Sequence, residues 1–354
     1  MSDQNAGNEL DTEQLAEWLS RSLQQVVADL TITGRPAGGF SAETIIGSAQ
    51  IDGDLKKFVV RLETPEPAVY PAQSTESMPE IEIQYRIMRS LSDQTDLPIA
   101  PLYGYEPSTD VLGTQFFVMG FVDGVVPIES PPYTTEGFFT EASSEQRTAL
   151  LDGGLTQLAN LHSYDPRGLE LDWLFSASPG GRHLLDLWQT FTEQELRGRT
   201  HPDLQEAFQR LQDTLPNDSR LSLCWGDPIP GNIIWNNFAP ACLTDFEAAC
   251  IGPPEFDLAW WLMFDRTMHD EIGIARAAGD LSREEQKALY FQRAGIEPFS
   301  TTEHELFAAA RYSTIVVRVM NRLEQRGLLP PDSDIWLNNP ASACLRTMLS
   351  ELRN

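Results

Sequence analysis

The sequence predicts an α+β chain of two lobes, a small β-rich lobe with one internal helix followed by a larger, mostly helical lobe. Before about residue 122, short runs rich in β-branched and aromatic residues alternate with Gly, Asp and Pro punctuation, which is the pattern of strands and turns. Only one helical period, at residues 81–91, interrupts the later part of that stretch. From residue 144 onward, long segments with apolar residues at helical spacing dominate. The 354 residues suffice for two lobes around a cleft, and the boundary is placed between residues 121 and 122.

In chain order, residues 11–29 carry Leu15, Leu19, Leu23, Val26 and Val27 at helical spacing and are expected to form an amphipathic helix. Residues 31–33 are a candidate strand ahead of the Gly-bearing segment 34–41, Gly-Arg-Pro-Ala-Gly-Gly-Phe-Ser. Strands follow at 43–48 and 57–62, with 50–54 as the turn between them. The Pro-, Ser- and Glu-rich stretch 65–79 is expected to be a mobile loop. The helix at 81–91 and strands at 102–105 and 115–122 complete the small sheet, and the Pro-rich residues 127–133 lead onward. Helices are expected at 144–163, 182–197, 202–214, 257–268, 282–294, 302–327 and 341–352, with strands at 221–225, 232–236 and 241–245.

Composition excludes some functions. A formal net charge of -27 repels nucleic acid and anionic membranes. The acidity has two readings, steering of a cationic substrate or a general solubility or salt adaptation, and the acids are spread along the whole chain. Lysine occurs only at Lys56, Lys57 and Lys287, so a site that needs a cation is expected to use Arg. Cys224, Cys242, Cys250 and Cys344 show no Cys-x-x-Cys spacing and are expected to be reduced, buried thiols. No apolar run approaches the roughly 20 residues of a membrane helix. The polar, acidic first residues Met1-Ser2-Asp3-Gln4-Asn5 give a cytoplasmic expectation.

The chemistry concentrates in Leu223-Cys-Trp-Gly-Asp-Pro-Ile-Pro-Gly-Asn-Ile-Ile-Trp235 and Cys242-Leu-Thr-Asp-Phe-Glu247. A strand ending at Trp225 would feed a loop presenting Asp227 and Asn232, and a short hairpin would return to present Asp245. Two carboxylates and a carboxamide converging at strand edges suit phosphoryl transfer. One carboxylate takes the proton of an attacking hydroxyl, while the other and the amide oxygen hold Mg²⁺ against the nucleotide phosphates. Singly, each of these residues reads equally as a turn former bonding its own backbone.

These segments resemble the catalytic loop of the aminoglycoside phosphotransferase family, which also contains choline-kinase-like enzymes. That family writes His-Gly-Asp, four residues, Asn, then a strand ending in Asp-Trp-Glu or Asp-Phe-Glu. The resemblance implies a protein-kinase-like fold, with Asp227 as catalytic base, Asn232 and Asp245 as metal ligands, Glu247 in support, and ATP and Mg²⁺ as cofactors. Trp225 stands where most members have His, a scaffold residue, and the Trp-Gly-Asp spelling resembles the kinase-like domains fused to some acyl-CoA dehydrogenases. Gly252-Pro-Pro-Glu-Phe-Asp-Leu-Ala-Trp-Trp261 is similar to the family's Gly-x-Pro-x-x-Asp-Leu-Ala, which makes Asp257 a helix N-cap and a buried anchor for the catalytic loop. Leu158-Ala-Asn-Leu-His162 resembles the family's Leu-Ala-x-Leu-His helix, with His162 a packed core residue.

For the nucleotide, Gly38, Gly39, Phe40 and Ser41 could lay backbone N–H groups over phosphates. Arg61 ends the strand Phe58-Val-Val-Arg at the position where kinases place a phosphate-gripping Lys. Its expected Glu partner aligns with Gln84, so Arg61 is expected to use Glu82 or Glu80 instead, or to accept a neutral partner. Phe116-Phe-Val-Met-Gly-Phe-Val-Asp-Gly124 resembles the strand into the hinge, with the backbone of Met119, Gly120, Phe121 and Val122 facing adenine. Residues 1–121 are then the nucleotide-binding lobe and 122–354 the catalytic and acceptor-binding lobe. The expected reaction is transfer of the ATP γ-phosphoryl group to a hydroxyl of a small molecule, aminoglycoside-like or another hydroxylated metabolite; Trp260, Trp261, Phe264 and Tyr312 read as helix-packing core or as an apolar wall for the acceptor. The other reading is a catalytically silent kinase-like nucleotide-binding protein.

Overall fold

The computed structural model describes residues 10–36, 42–66, 68–73, 78–216, 220–330 and 332–353. They divide into two compact units, one drawn from the ranges 1–68, 78–93 and 99–122 and the other from 69–77, 94–98 and 123–354.

In the first unit, α1 (Thr12–Leu23) precedes β1 (Val27–Gly34), β2 (Glu43–Ile51) and β3 (Asp54–Leu62), then come α2 (Glu80–Gln94), β4 (Leu102–Glu106) and β5 (Phe116–Gly120). The strands form one antiparallel sheet in the order β1-β2-β3-β5-β4. The helix expected over 11–29 is shorter. The Asp11 side chain caps its start, and the chain leaves the helix at Gln24, in the left-handed region with φ 56°. Asp52 Oδ1 accepts the Val26 N–H at 2.9 Å, and Val27 pairs with Ile51, so sheet pairing overrides the helical spacing of the two valines. The turn is also tighter than residues 50–54. Ile51 pairs with Asp54, and only Asp52 and Gly53, with φ of 50° and 87°, make the reversal. An Asp-Gly pair with both φ positive matches the twist of a two-residue hairpin.

Successive side chains of a strand point to opposite faces, and the consecutive Phe116 and Phe117 use this to hold the two helices. Trp18 of α1 packs edge-on to Phe116 at 4.8 Å, and Tyr85 of α2 meets Phe117 at 5.9 Å. The α1 face is the core, with Leu15, Leu19, Ile45, Phe58, Val60 and Val118 buried together. Burial of such side chains contributes roughly 1.5–3 kcal/mol each. Arg61 lies on the other face of β3, opposite Thr44.

The second unit is mostly helical, with α3 (Phe138–Glu141), α4 (Ser144–Ser163), α5 (Gly181–Leu196), α6 (Pro202–Thr214), then β6 (Ser222–Cys224), β7 (Ile233–Asn236), β8 (Ala239–Leu243), β9 (Cys250–Gly252), and finally α7 (Glu255–Met268), α8 (Arg283–Ala294), α9 (Thr302–Gln325) and α10 (Pro340–Arg353). The short α3 and β9 were not anticipated, because three or four residues carry too little period to read. β6 pairs antiparallel with β9, placing Cys224 opposite Cys250, and β7 pairs with β8. α7 is buried on nearly every side, which explains its unbroken apolar run from Leu258 to Phe264. All four cysteines are free and buried, as expected. Among the described residues no helix is long and apolar enough to cross a membrane.

Beyond α7 the chain is fastened by a polar knot. His269 Nε2 meets Asp280 Oδ2 at 2.8 Å, His269 Nδ1 meets the Asp265 carbonyl at 3.0 Å, and Arg276 pairs with Asp265 and Asp280. Burial alone would lower the His269 pKa. The hydrogen bond to Asp280 and the charges of Asp265 and Asp280 outweigh it, so the imidazole stands above its ordinary value.

Candidate functional site

The site lies in the second unit, where β6 ends at Cys224 and the chain turns through Trp225 and Gly226 to Asp227. Gly226 has φ 88°, and a Cβ there would come within 2.0 Å of the Ala248 carbonyl, so the turn requires glycine. Asp257 anchors it. One carboxylate oxygen accepts the Trp225 N–H at 2.6 Å and the other the Gly226 N–H at 2.9 Å. Asp257 is not the N-cap expected from sequence, because α7 starts two residues earlier and Pro254 occupies that place. His162 completes the anchor as a buried residue, meeting Asp257 Oδ2 at 3.0 Å and the Tyr290 hydroxyl at 2.8 Å.

Asp227 is surrounded by donors. Trp260 Nε1 donates to Oδ1 at 2.6 Å, while Asn232 Nδ2 at 3.1 Å and the Tyr70 hydroxyl at 3.2 Å donate to Oδ2. Burial, followed by the charge of Asp245, pushes its pKa up to about 6 despite these bonds. Glu129 is reached by solvent but crowded by protein, and burial with the charges of Asp227 and Asp245 pushes it up to about 7. Tyr70 is driven well above its ordinary value by burial and by the charges of Asp227, Glu247 and Asp245. Five acidic groups, Asp227, Asp245, Glu129, Glu247 and the Tyr70 phenol, are therefore gathered here.

Asn232 is placed by a single-turn 3₁₀ segment, Pro230–Asn232. Its Nδ2 also donates to the Asp227 carbonyl at 2.9 Å. Its own carbonyl accepts both the N–H and the hydroxyl of Thr244, at 3.0 and 2.9 Å, which sets Asp245 beside the loop. Asp245 lies two residues past β8 and holds φ 62°, a left-handed conformation that Asp tolerates better than most residues. The Trp225 indole N–H bridges the Thr244 and Asp245 carbonyls at 2.9 and 3.1 Å, and its ring stacks on Phe246 at 5.3 Å.

In the first unit, Arg61 Nη1 donates to Thr44 Oγ1 at 2.9 Å. Glu82 pairs with Arg86 at 3.6 Å and accepts from the Tyr105 hydroxyl at 3.3 Å, while Gln84 is buried in α2. At the end of β5, the Gly120 N–H goes to the Pro101 carbonyl at 2.7 Å and the Phe121 N–H to the Lys57 carbonyl at 3.2 Å. Met119 and Val122 flank this pair. Gly38, Gly39, Phe40 and Ser41 lie outside the described residues.

Tyr70, Glu129 and Arg311 were missed in the sequence, and Trp260 was given only a packing or pocket-wall role. Tyr70 sits in the stretch read as a loop from its Pro and Ser content, yet Val69 and Pro71 beside it are buried. The burial of these neighbours shows only in the fold, so nothing local in the sequence marks Tyr70. Trp261, adjacent to Trp260, is a core residue with its N–H on Gln286 at 2.7 Å.

Known proteins share this architecture. Acyl-CoA dehydrogenase family member 11 of Homo sapiens is 26% identical over 225 residues, covering 61% of this chain and 28% of that protein. Its Mus musculus namesake is 27% identical over 232 residues, covering 62% and 28%. This chain thus spans under a third of the length of those curated relatives. Among solved structures, a Ralstonia eutropha protein named for the aminoglycoside phosphotransferases superposes with a TM-score of 0.71 at 20% identity, over 96% of each chain. The macrolide 2'-phosphotransferase of Brachybacterium faecium gives 0.58 at 14% identity, over 94% and 98%. At such identities the likeness shows the fold, the two-lobed protein-kinase-like α+β architecture expected from sequence. The family model described as Phosphotransferase enzyme family matches residues 36–296, and with that span this chain belongs to the phosphotransferase enzyme family.

Proposed function

We propose that this chain transfers the γ-phosphoryl group of ATP to a hydroxyl of a small molecule, with Asp227 as the base. The observation that carries the reading is the Asp227 carboxylate itself. It is half-buried but densely surrounded by protein, is pushed up to about 6, and already accepts one O–H, that of Tyr70, on Oδ2. A base near neutrality that receives a hydroxyl is suited to general-base work. In the step, the acceptor oxygen bonds the γ-phosphorus, the bond to the β–γ bridging oxygen breaks to release ADP, and the hydroxyl proton passes to Asp227.

The donor set fits Mg²⁺. Asn232 gives its amide nitrogen to Asp227, which turns its Oδ1 the other way, and Asp245 adds a carboxylate; both are the hard oxygens this ion takes. Burial comes first in raising both groups, but the charge of Asp245 adds to it at Asp227, and the charges of Asp227 and Asp245 add to it at Glu129; a divalent cation held by Asn232 and Asp245 would relieve that added part. Bound there, Mg²⁺ would neutralise charge on the phosphates. Arg61 and the backbone of Met119, Gly120, Phe121 and Val122 are assigned to the nucleotide, together with the segment 38–41. Since the Gly120 and Phe121 amides already serve the sheet, the adenine donor falls to Val122. Residues 1–121 and 122–354 are the corresponding nucleotide and acceptor lobes.

The acceptor is a hydroxylated small molecule. Relatives by fold are named for aminoglycosides and macrolides and relatives by sequence for acyl-CoA dehydrogenases, which supports testing both polyols and hydroxyacyl thioesters. ATP consumption by the purified chain with Mg²⁺ should appear with one class of a panel of aminoglycosides, macrolides, amino alcohols, sugars and hydroxyacyl thioesters. Asp227→Asn should lower it by about 10³-fold or more. Undiminished turnover in that variant would remove Asp227 from its role.

A further inference from the structure

We propose that Arg311 is a positioning residue for Asp227, acting through the Gly226 carbonyl and through Trp260. The proposal rests on the assignment of Asp227 as base, and its test separates the two.

Arg311, on α9, is 1% exposed. Its Nη2 donates to the Gly226 carbonyl at 2.7 Å, while among the described residues Nε and Nη1 meet no hydrogen-bond partner. Among the described residues no carboxylate pairs with it. A cation at that depth without a directly paired carboxylate is costly; burial brings its pKa down to about 10, although the charges of Asp257 and Asp227 act in the other direction. What surrounds it instead are aromatic faces, Phe256 at 3.5 Å, Trp260 at 4.4 Å and Trp188 at 5.1 Å from the guanidinium carbon. Cation–π attraction offsets part of the penalty, yet an aliphatic side chain would fill the space without burying a charge, at the cost of the bond to the Gly226 carbonyl.

The geometry gives the cation a task. The Gly226 carbonyl belongs to the peptide that links Gly226 to Asp227, so the Arg311 bond fixes the plane from which Asp227 departs. The Trp260 ring lies against the same guanidinium, and its N–H holds Asp227 Oδ1 at 2.6 Å. One planar group therefore constrains the base at its backbone and at its carboxylate, leaving Oδ2 on the side of Asn232 and Tyr70. Of Arg and Lys, only Arg combines an in-plane donor with a flat face for stacking; an ammonium can donate but has no flat face. Because a base misplaced by about 1 Å can lose on the order of 100-fold in rate, this constraint acts on turnover rather than on nucleotide affinity.

The test has a spectroscopic arm that needs no substrate. In the full, metal-free chain the indole ¹⁵N–¹H resonance of Trp260, assigned with Trp260→Phe, should lie downfield because of its short carboxylate bond, and Asp227→Asn should shift it upfield. Arg311→Met and Arg311→Lys should shift it in the same direction, with the Trp18 resonance, which reports the first unit, unchanged. A Trp260 resonance at its wild-type position in the folded variants overturns the proposal; should the Met variant fail to fold, the Lys variant decides. In the kinetic arm, Arg311→Lys should lower kcat for Mg·ATP consumption about 10–100-fold with KM for ATP within about twofold. Wild-type kcat, or a loss carried in KM alone, overturns it. A wild-type chain that consumes no ATP with any acceptor would defeat the phosphotransfer reading, while the resonance shifts would still decide whether Arg311 positions Asp227.

Discussion

Trp225 donates its indole N–H to the carbonyl of Asp245 at 3.1 Å. Trp225 thus holds the turn that carries the second carboxylate.

Trp225→Phe keeps an aromatic ring on Phe246 but removes the donor shared by Thr244 and Asp245. Stability should fall by about 1 kcal/mol, and the Mg²⁺ concentration for half-maximal turnover should rise several-fold. Trp225→His, which restores an N–H, should recover part of both. Denaturant melts and a Mg²⁺ titration of ATP consumption check this; identical Mg²⁺ requirements in all three proteins would refute it.

Asp227→Asn should make the metal-free protein more stable at pH 8. A carboxylate raised from 3.8 to about 6 opposes folding once ionised. The folded chain holds its proton where the unfolded chain has lost it, so stability declines as pH rises from about 4 through about 6. The gain in the Asn variant is at most about 3 kcal/mol at pH 8 and vanishes below pH 4. Urea midpoints at the two pH values measure it, and equal midpoint differences at both would contradict the prediction.

Asp257→Ala leaves the amides of Trp225 and Gly226 and one nitrogen of His162 without their acceptor. A loss of about 3–5 kcal/mol is expected. Asp257→Asn, which keeps one acceptor oxygen, should cost clearly less. Chemical denaturation orders the two, and equal losses would show that the amides have other recourse.

Asp280→Asn tests the knot behind α7. The His269 pKa is raised in the fold, so the His269–Asp280 bond stabilises fully below about pH 6.5 and fades as pH climbs through the folded value. The variant should therefore lose more stability at pH 5.5 than at pH 9, where the Arg276–Asp280 pair at 3.3 Å still remains to be lost. Thermal melts at both values distinguish this from a pH-independent loss.

Much of this was legible in the residues. The helices from Ser144 onward carry enough turns for their period to show, and α4 and α6 begin and end where spacing placed them. Asp227, Asn232 and Asp245 could be singled out as candidates because they fall in two short segments with family-like spacing. Val26 and Val27 misled because their strand partners lie some 25 residues away, beyond any local window. Tyr70, Glu129 and Arg311 were missed for the same reason: each reaches the Asp227 loop from a distant stretch, and only folding brings a Pro-rich segment or a helical arginine to it.

The pairing of Cys224 with Cys250 across β6 and β9 has a practical consequence. Both thiols are sealed while these two short strands stay zipped, and Asp227 lies three residues beyond the first of them. Their rate of capture by a thiol reagent is therefore a built-in clock for how often the foundation beneath the Asp227 loop comes apart, readable with no acceptor in hand.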